Sequence, residues 1–249
     1  MKKVNKVEKK PSFVEGLDTY AAEFIRWQKD PPVRRLVGIF ELPAREFHDF
    51  QIEQALEFLG KTHLTPVRYD AEKVRKDGPR EECTGTGYAA MVRDQYGSIR
   101  PIIFMRSTVN RKEIDDQALA DEFDALSRLL VLIHELGHAE DIVRGINFDH
   151  KNEKLDMIAT EEYAHLFTVR KCKSNWYRLA LNAYLDMLEK DSQRTDCEVV
   201  STSAQRALSS LDVPSLKEFS SPDVDRTADY RKRIQQAGRL PELFRRTPK

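Results

Sequence analysis

The sequence predicts an α+β fold, mostly helical, with a small β-sheet ahead of its longest helix. Three observations carry this. Apolar residues recur at helical spacing in segments 12–28, 43–61, 116–144, 155–172 and 175–191. The stretch "GYAAMVRDQYGSIRPIIFMRS" (87–107) reads instead as two strands around a "DQYG" turn. The chain has 249 residues, 40% of them hydrophobic and 33% charged, which is enough for a substantial core in an ordinary globular composition. The expected organisation is a flexible basic tail (1–11), a single domain (12–192) and a C-terminal extension (193–249), partly helical or mobile. The domain has an N-terminal helical part (12–80) and a core over 85–172.

The elements follow in order. Ser12 can cap a helix over 12–28, and Pro31 and Pro32 stop it. Pro43 suits the first turn of a helix over 43–61, and Gly60 suits its C-terminal cap. "TPVRYDAEKV" contains a short strand and "PREECTG" (79–85) is loop. "IIFM" (102–105) has the compact apolar character of a core strand, and Pro101 places an edge or bulge at its start. "STVNRKEIDD" (107–116) is a connection. The long helix runs from about Asp116, capped by Asp115 or Asp116, to Arg144, and Gly145 ends it. "INFDHKNEK" is loop, followed by helices over 155–172 and 175–191. In the latter, Trp176, Leu179, Leu181, Tyr184, Leu185 and Leu188 are the core candidates. Beyond residue 192, one short helix is expected near "SAQRALSSL". The locally basic end, "RKRIQQAGRLPELFRRTPK", lacks the interleaved aromatics of a base-stacking surface.

Composition narrows function. The formal net charge is +0, which suggests neither a nucleic-acid nor a membrane partner. No stretch is apolar for long enough to span a bilayer, and no signal-peptide core follows "MKKVNKVEKK". The cysteines, Cys83, Cys172 and Cys197, are odd in number and lack CxxC spacing. They are expected as reduced thiols in a cytoplasmic protein.

One stretch is chemically unusual. "LLVLIHELGHAEDI" (129–142) interrupts an apolar helix with His134, Glu135 and His138. Residues four apart share a helix face, so both imidazoles project side by side and can bind one Zn²⁺ per chain. Glu135 is offset by one position, too far round to be a good ligand. It is placed to act as general base toward water on the metal's open side. A metal would explain why an apolar face accepts these polar groups, where the alternative is a hydrogen-bonded structural histidine pair. Gly137, between the histidines, leaves room for a neighbouring element.

The third ligand is less determined. A metzincin would continue HExxHxxGxxH, but Asp141 and Arg144 occupy the glycine and third-histidine positions, which excludes that class. A glutamate on the following helix is the other solution, and "ATEEYAHLF" offers Glu161, Glu162 and His165. Projected at helical spacing, Leu155, Ile158, Ala159, Tyr163, Leu166 and Val169 form an apolar stripe containing Glu162, which favours Glu162 by burial. Glu161 lies at the flank with Ala164, His165 and Thr168, where small residues permit close helix approach. His165 can orient a ligand histidine or bind metal itself, and Asp141 can hydrogen-bond a ligand histidine or lie in solvent at the helix end. Tyr163 reads as core and Cys172 as a small buried residue.

These motifs resemble the gluzincin metallopeptidases, most of all the ImmA/IrrE type, over roughly residues 85–172. That type pairs HExxH with a pattern like E-x-x-A-[D/N]-x-F-A on the next helix. Glu161, Ala164 and Phe167 match it, while His165 and Thr168 depart from it and "VRKC" replaces the usual continuation. The resemblance implies a zincin-like domain, a strand pair before the active helix, and Glu161 as third ligand. It also implies peptidase activity on an intracellular protein or peptide, and includes regulators that work with a helix-turn-helix partner. Because no convincing helix-turn-helix is present, such a role here requires a separate regulatory protein. The alternative function is a metal-containing, non-proteolytic regulatory or binding protein.

The cysteine pattern gives the first prediction. Thiol titration of denatured, unreduced protein should find all three cysteines reactive. A single reactive thiol would reveal a disulfide and contradict the cytoplasmic reading.

Overall fold

The structure, a computed structural model, describes residues 12–14, 35–42, 52–67, 87–106, 117–146, 153–174 and 178–221. It is a mixed α+β fold. Its strands are β1 (Ser12–Val14), β2 (Ile39–Leu42), β3 (Thr65–Pro66), β4 (Gly87–Arg93) and β5 (Ile99–Arg106). Its helices are α1 (Ile52–Phe58), α2 (Gln117–Arg144), α3 (Glu153–Ser174), α4 (Arg178–Asp191), α5 (Glu198–Ser209) and α6 (Val213–Ser220).

The strands form one sheet in the order β1-β2-β5-β4-β3. The β4–β5 hairpin appears where the sequence placed it. Asp94 builds its turn, accepting from the backbone N–H groups of Tyr96 and Ser98, each at 2.9 Å, while Gly97 supplies a φ of +84°. The continuous apolar run of β5 is explained by burial on both faces. Ile103 and Met105 face α2, where they join Leu129, Leu132, Ile133 and Leu136. Ile102 and Phe104 face the opposite layer, against Phe40, Val92 and α1 residues Ala55 and Leu56. Phe104 stacks between Phe40 and Tyr88, with centroids at 5.4 and 4.8 Å.

β5 is central rather than an edge, yet Pro101 is accommodated. Its carbonyl accepts from Val37 N–H at 2.8 Å, on the side where β2 pairing begins only at Ile103. The missing proline N–H therefore falls outside the paired stretch.

The expected helix over 12–28 is corrected at its start. Ser12–Val14 is a strand, antiparallel to β2 with Phe13 opposite Phe40, and residues 15–28 lie outside the described residues. Pairing with a sheet edge outweighs local helical spacing, and Phe and Val suit a strand. β2 itself lies in a short apolar run that periodicity does not distinguish. Of the helix expected over 43–61, residues 52–58 are helical and Gly60 follows at φ +64°, while 43–51 lie outside the described residues. The segments 107–116 and 79–85 also lie outside them, as do His48, His150 and Cys83, whereas His63 is exposed.

α2 ends as the sequence indicates. Gly145 adopts φ +63° and its N–H returns to the Asp141 carbonyl at 2.8 Å. The stripe Leu181, Tyr184, Leu185 and Leu188 buries α4, while Trp176 and the Leu179 side chain lie outside the described residues. Where one short helix was expected after residue 192, the described residues hold two, α5 and α6. Ala204 and Leu216 sit in the same buried cluster as the α2 leucines. Asp212 caps α6 by accepting from Ser215 N–H at 3.3 Å.

α2 and α3 meet at a glycine. A Cβ on Gly137 would stand 2.8 Å from the Ala164 Cα and 3.2 Å from its Cβ. Backbone cannot rotate away as a side-chain tip can. Gly137→Ala should therefore lower unfolding free energy by about 1–3 kcal/mol, despite alanine's better helix propensity. Urea denaturation measures this, and an unchanged or higher midpoint would show that the helices need not approach so closely.

Candidate metal centre

The site lies at that close approach. α2 presents His134, Glu135 and His138 to one side, and α3 presents Glu161 toward both imidazoles. His134 Nε2 is 3.1 Å from Glu161 Oε2 and 3.1 Å from His138 Nε2. His138 Nε2 is 3.5 Å from Glu161 Oε1. Three donors about 2.0–2.1 Å from a tetrahedral ion lie about 3.3 Å from one another. The observed separations thus outline one face of a tetrahedron. Among the described residues, His134, His138 and Glu161 form the group of three or more His, Cys, Asp or Glu residues able to hold a metal ion.

The electrostatics of these side chains without metal also call for a cation. Burial alone would raise the Glu161 carboxyl, but His138 and His134 outweigh it and hold it well below its ordinary value. Burial opposes a charge on His138, yet Glu161 foremost, with Glu135 and Asp141, raises it to about 9. The protonated imidazole supplies positive charge where a metal ion would.

Glu161 and Glu162 are clearly separated. Glu162 turns toward α5 and lies 3.9 Å from Arg206 Nη1. The expected apolar stripe on α3 holds at Ile158 and Val169, which are buried, and is corrected at Leu155, which is half exposed, and at Tyr163, which is only partly buried. The buried face includes Ala164, His165, Phe167, Thr168 and Cys172. The small Ala164 lets α3 approach α2 closely at Gly137.

Glu135 lies against β4, beside the donor group. It is buried, and one carboxylate oxygen would be 2.9 Å from a Cβ on Gly87. The Ala89 backbone N–H donates to the carboxylate, while Oε2 has no hydrogen-bond partner among the described residues. Burial pushes its carboxyl up, against the pull of both histidines.

The remaining expected residues are also placed. Asp141 is fully buried and accepts from Thr160 Oγ1 at 2.7 Å. Thr160 Oγ1 lies 3.3 Å from His138 Nδ1, so Asp141 reaches the histidine through a hydroxyl. His165 is buried, which pulls it down to about 3, so it is neutral. Its Nδ1 is 2.8 Å from the Tyr184 hydroxyl, which is 2.9 Å from His134 Nδ1. Tyr163 instead donates to Glu140 at 2.7 Å, away from the donor group. Cys172 is buried, and burial raises its thiol to about 12.

Sequence reasoning missed Thr160 and the polar role of Tyr184. Tyr184 had a usable signal, because a buried tyrosine hydroxyl in a leucine stripe requires a partner.

Comparison with known proteins finds no matching family model, curated protein or solved structure.

The geometry separates the two glutamates experimentally. In calorimetric zinc titrations, Glu161→Ala should weaken binding by more than about tenfold, the scale already seen for residues that only support a ligand. Glu162→Ala should retain affinity within about twofold, since its partly exposed ion pair contributes little. The reverse pattern would exclude Glu161 from the donor set.

Proposed function

We propose that this chain is a metal-dependent hydrolase, with zinc as the metal, acting on peptide bonds of a protein or peptide. The observation that carries the reading is Glu135, buried beside the three-donor cluster with a raised pKa and an oxygen free of protein partners. His134, His138 and Glu161 would hold the ion, a set of three protein ligands that leaves a fourth position open. Other divalent first-row ions fit the same donors, and zinc suits the mixture of imidazole and carboxylate. When bound, the metal supplies Lewis acidity for a carbonyl and for water.

The protein supplies the proton handling. Glu135 is set apart from the donors, so its carboxylate can take a proton from water as water attacks a carbonyl. A raised pKa makes it a better base near neutrality and lets it retain that proton for the leaving amine. The Ala89 N–H and the close backbone at Gly87 limit where the carboxylate can turn. No helix among the described residues is long and apolar enough to cross a membrane. Cys172 and Cys197 are free thiols, which supports a cytoplasmic setting. The substrate is then an intracellular polypeptide, met directly or through a regulatory protein.

Glu135→Gln tests the role. It should bind zinc with the wild-type stoichiometry and lose about 10²–10⁴-fold of its turnover on a fluorogenic peptide library. Zinc-loaded wild type that cleaves nothing in the library would reject the hydrolase reading in favour of a metal-containing binding protein.

A further inference from the structure

We infer that Tyr184 is a positioning residue for His134, the inner link of a directed hydrogen-bond chain that runs from α4 through α3 to α5. The chain keeps His134 protonated at Nδ1 and its Nε2 lone pair turned to the metal position. This inference rests on the metal reading above.

The direction is fixed from the far end. Ser203 Oγ lies 3.0 Å from the Val200 carbonyl, to which it can only donate. Its proton is then spent, and it presents a lone pair to His165 Nε2 at 3.5 Å. Buried, with Nε2 facing that lone pair and Nδ1 facing the Tyr184 hydroxyl, the His165 ring carries its proton on Nε2 and leaves Nδ1 bare. The Tyr184 hydroxyl, 2.8 Å away, donates to that nitrogen. Thr168 also lies against this hydroxyl, but its own proton goes to the Ala164 carbonyl at 2.8 Å. As an acceptor it is weaker than an imidazole nitrogen. With the phenol proton spent on His165, Tyr184 can only accept from His134, whose Nδ1 lies at 2.9 Å. His134 thus carries Nδ1–H and offers Nε2.

The same logic recurs independently on His138. Thr160 donates to Asp141 at 2.7 Å, so toward His138 Nδ1, at 3.3 Å, it can only accept. Each imidazole meets a hydroxyl whose proton is already committed elsewhere. Without such an acceptor, the histidine proton is free to occupy Nε2, where it blocks the lone pair that binds metal. Tyr184 is buried in the helical core by the leucine stripe around it, so its oxygen is held at a fixed position.

The experiment uses the full chain, wild type and Tyr184→Phe, which conserves shape. Zinc affinity is measured by competition with a chromophoric chelator, and histidine protons by ¹⁵N-correlated NMR on the zinc-loaded protein. Wild type should show a His134 Nδ1–H shifted downfield and slow to exchange. In Tyr184→Phe that signal should move or vanish while the His138 Nδ1–H stays, and zinc affinity should fall about 10–100-fold. A purely structural tyrosine would lower thermal stability and leave both readouts unchanged, which would overturn the inference while the metal reading stands. A wild-type spectrum with the His134 proton on Nε2 overturns it without recourse to any variant. Wild type that binds no zinc would instead overturn the metal reading itself.

Discussion

The site depends on two helices touching backbone to backbone. Gly137 has no Cβ to keep α3 away, and Ala164 answers with the smallest side chain that still favours a helix. That contact sets a register. His138 follows Gly137 by one residue, and Glu161 precedes Ala164 by one turn, so the donors on both helices are fixed relative to the contact. The other flank of α2 uses the same device, because the Gly87 backbone passes close to Val131 and Glu135. The motif helix is thus closely approached by α3 on one flank and β4 on another. The first approach brings Glu161 to the two imidazoles, and the second confines the Glu135 carboxylate.

Close packing creates an electrostatic demand. Glu135, Asp141 and Glu161 lie around two imidazoles in a region that is largely buried. Buried carboxylates are retained only where paired, hydrogen-bonded or bound to a cation. Here they divide the work. Glu161 faces both Nε2 atoms and stays ionised, and Asp141 receives the Thr160 hydroxyl behind His138. Glu135 keeps a buried oxygen with no hydrogen-bond partner among the described residues, and burial pushes its carboxyl upward. The three acids thus differ in their surroundings, two meeting imidazoles or a hydroxyl and the third pushed toward its neutral form by burial.

Local patterns made part of this legible. His134, Glu135 and His138 sit on one helix, and their spacing is set by helix geometry alone. Gly60 and Gly145 mark helix ends because positive φ suits glycine, and Asp94 with Gly97 specifies the hairpin turn for similar local reasons. Features that depend on distant partners were not legible. Ser12–Val14 looks helical until β2 lies beside it. The α3 stripe pointed to Glu162 because helical projection weighs apolar character, whereas the buried face was chosen by smallness at Ala164 and Thr168. Ala164 carried the correct signal, and it gained meaning only when paired with Gly137 across the helix interface. Tyr184 counted as apolar bulk in a leucine stripe, and its hydroxyl mattered only once α4 was laid against His134 and His165.

The two histidines are held by the same device but with different far ends. Behind His138 the chain closes on a carboxylate, Asp141, which draws positive character onto that imidazole. Behind His134 every link is neutral, from Tyr184 through His165 and Ser203 to a backbone carbonyl. The asymmetry has an electrostatic logic. Glu161 already places negative charge against both imidazoles. A further acid behind His134 would leave excess negative charge beside Glu135 and drive that carboxyl toward permanent protonation. A chain of neutral groups behind His134 adds no further charge beside Glu135, whose carboxyl burial already pushes upward.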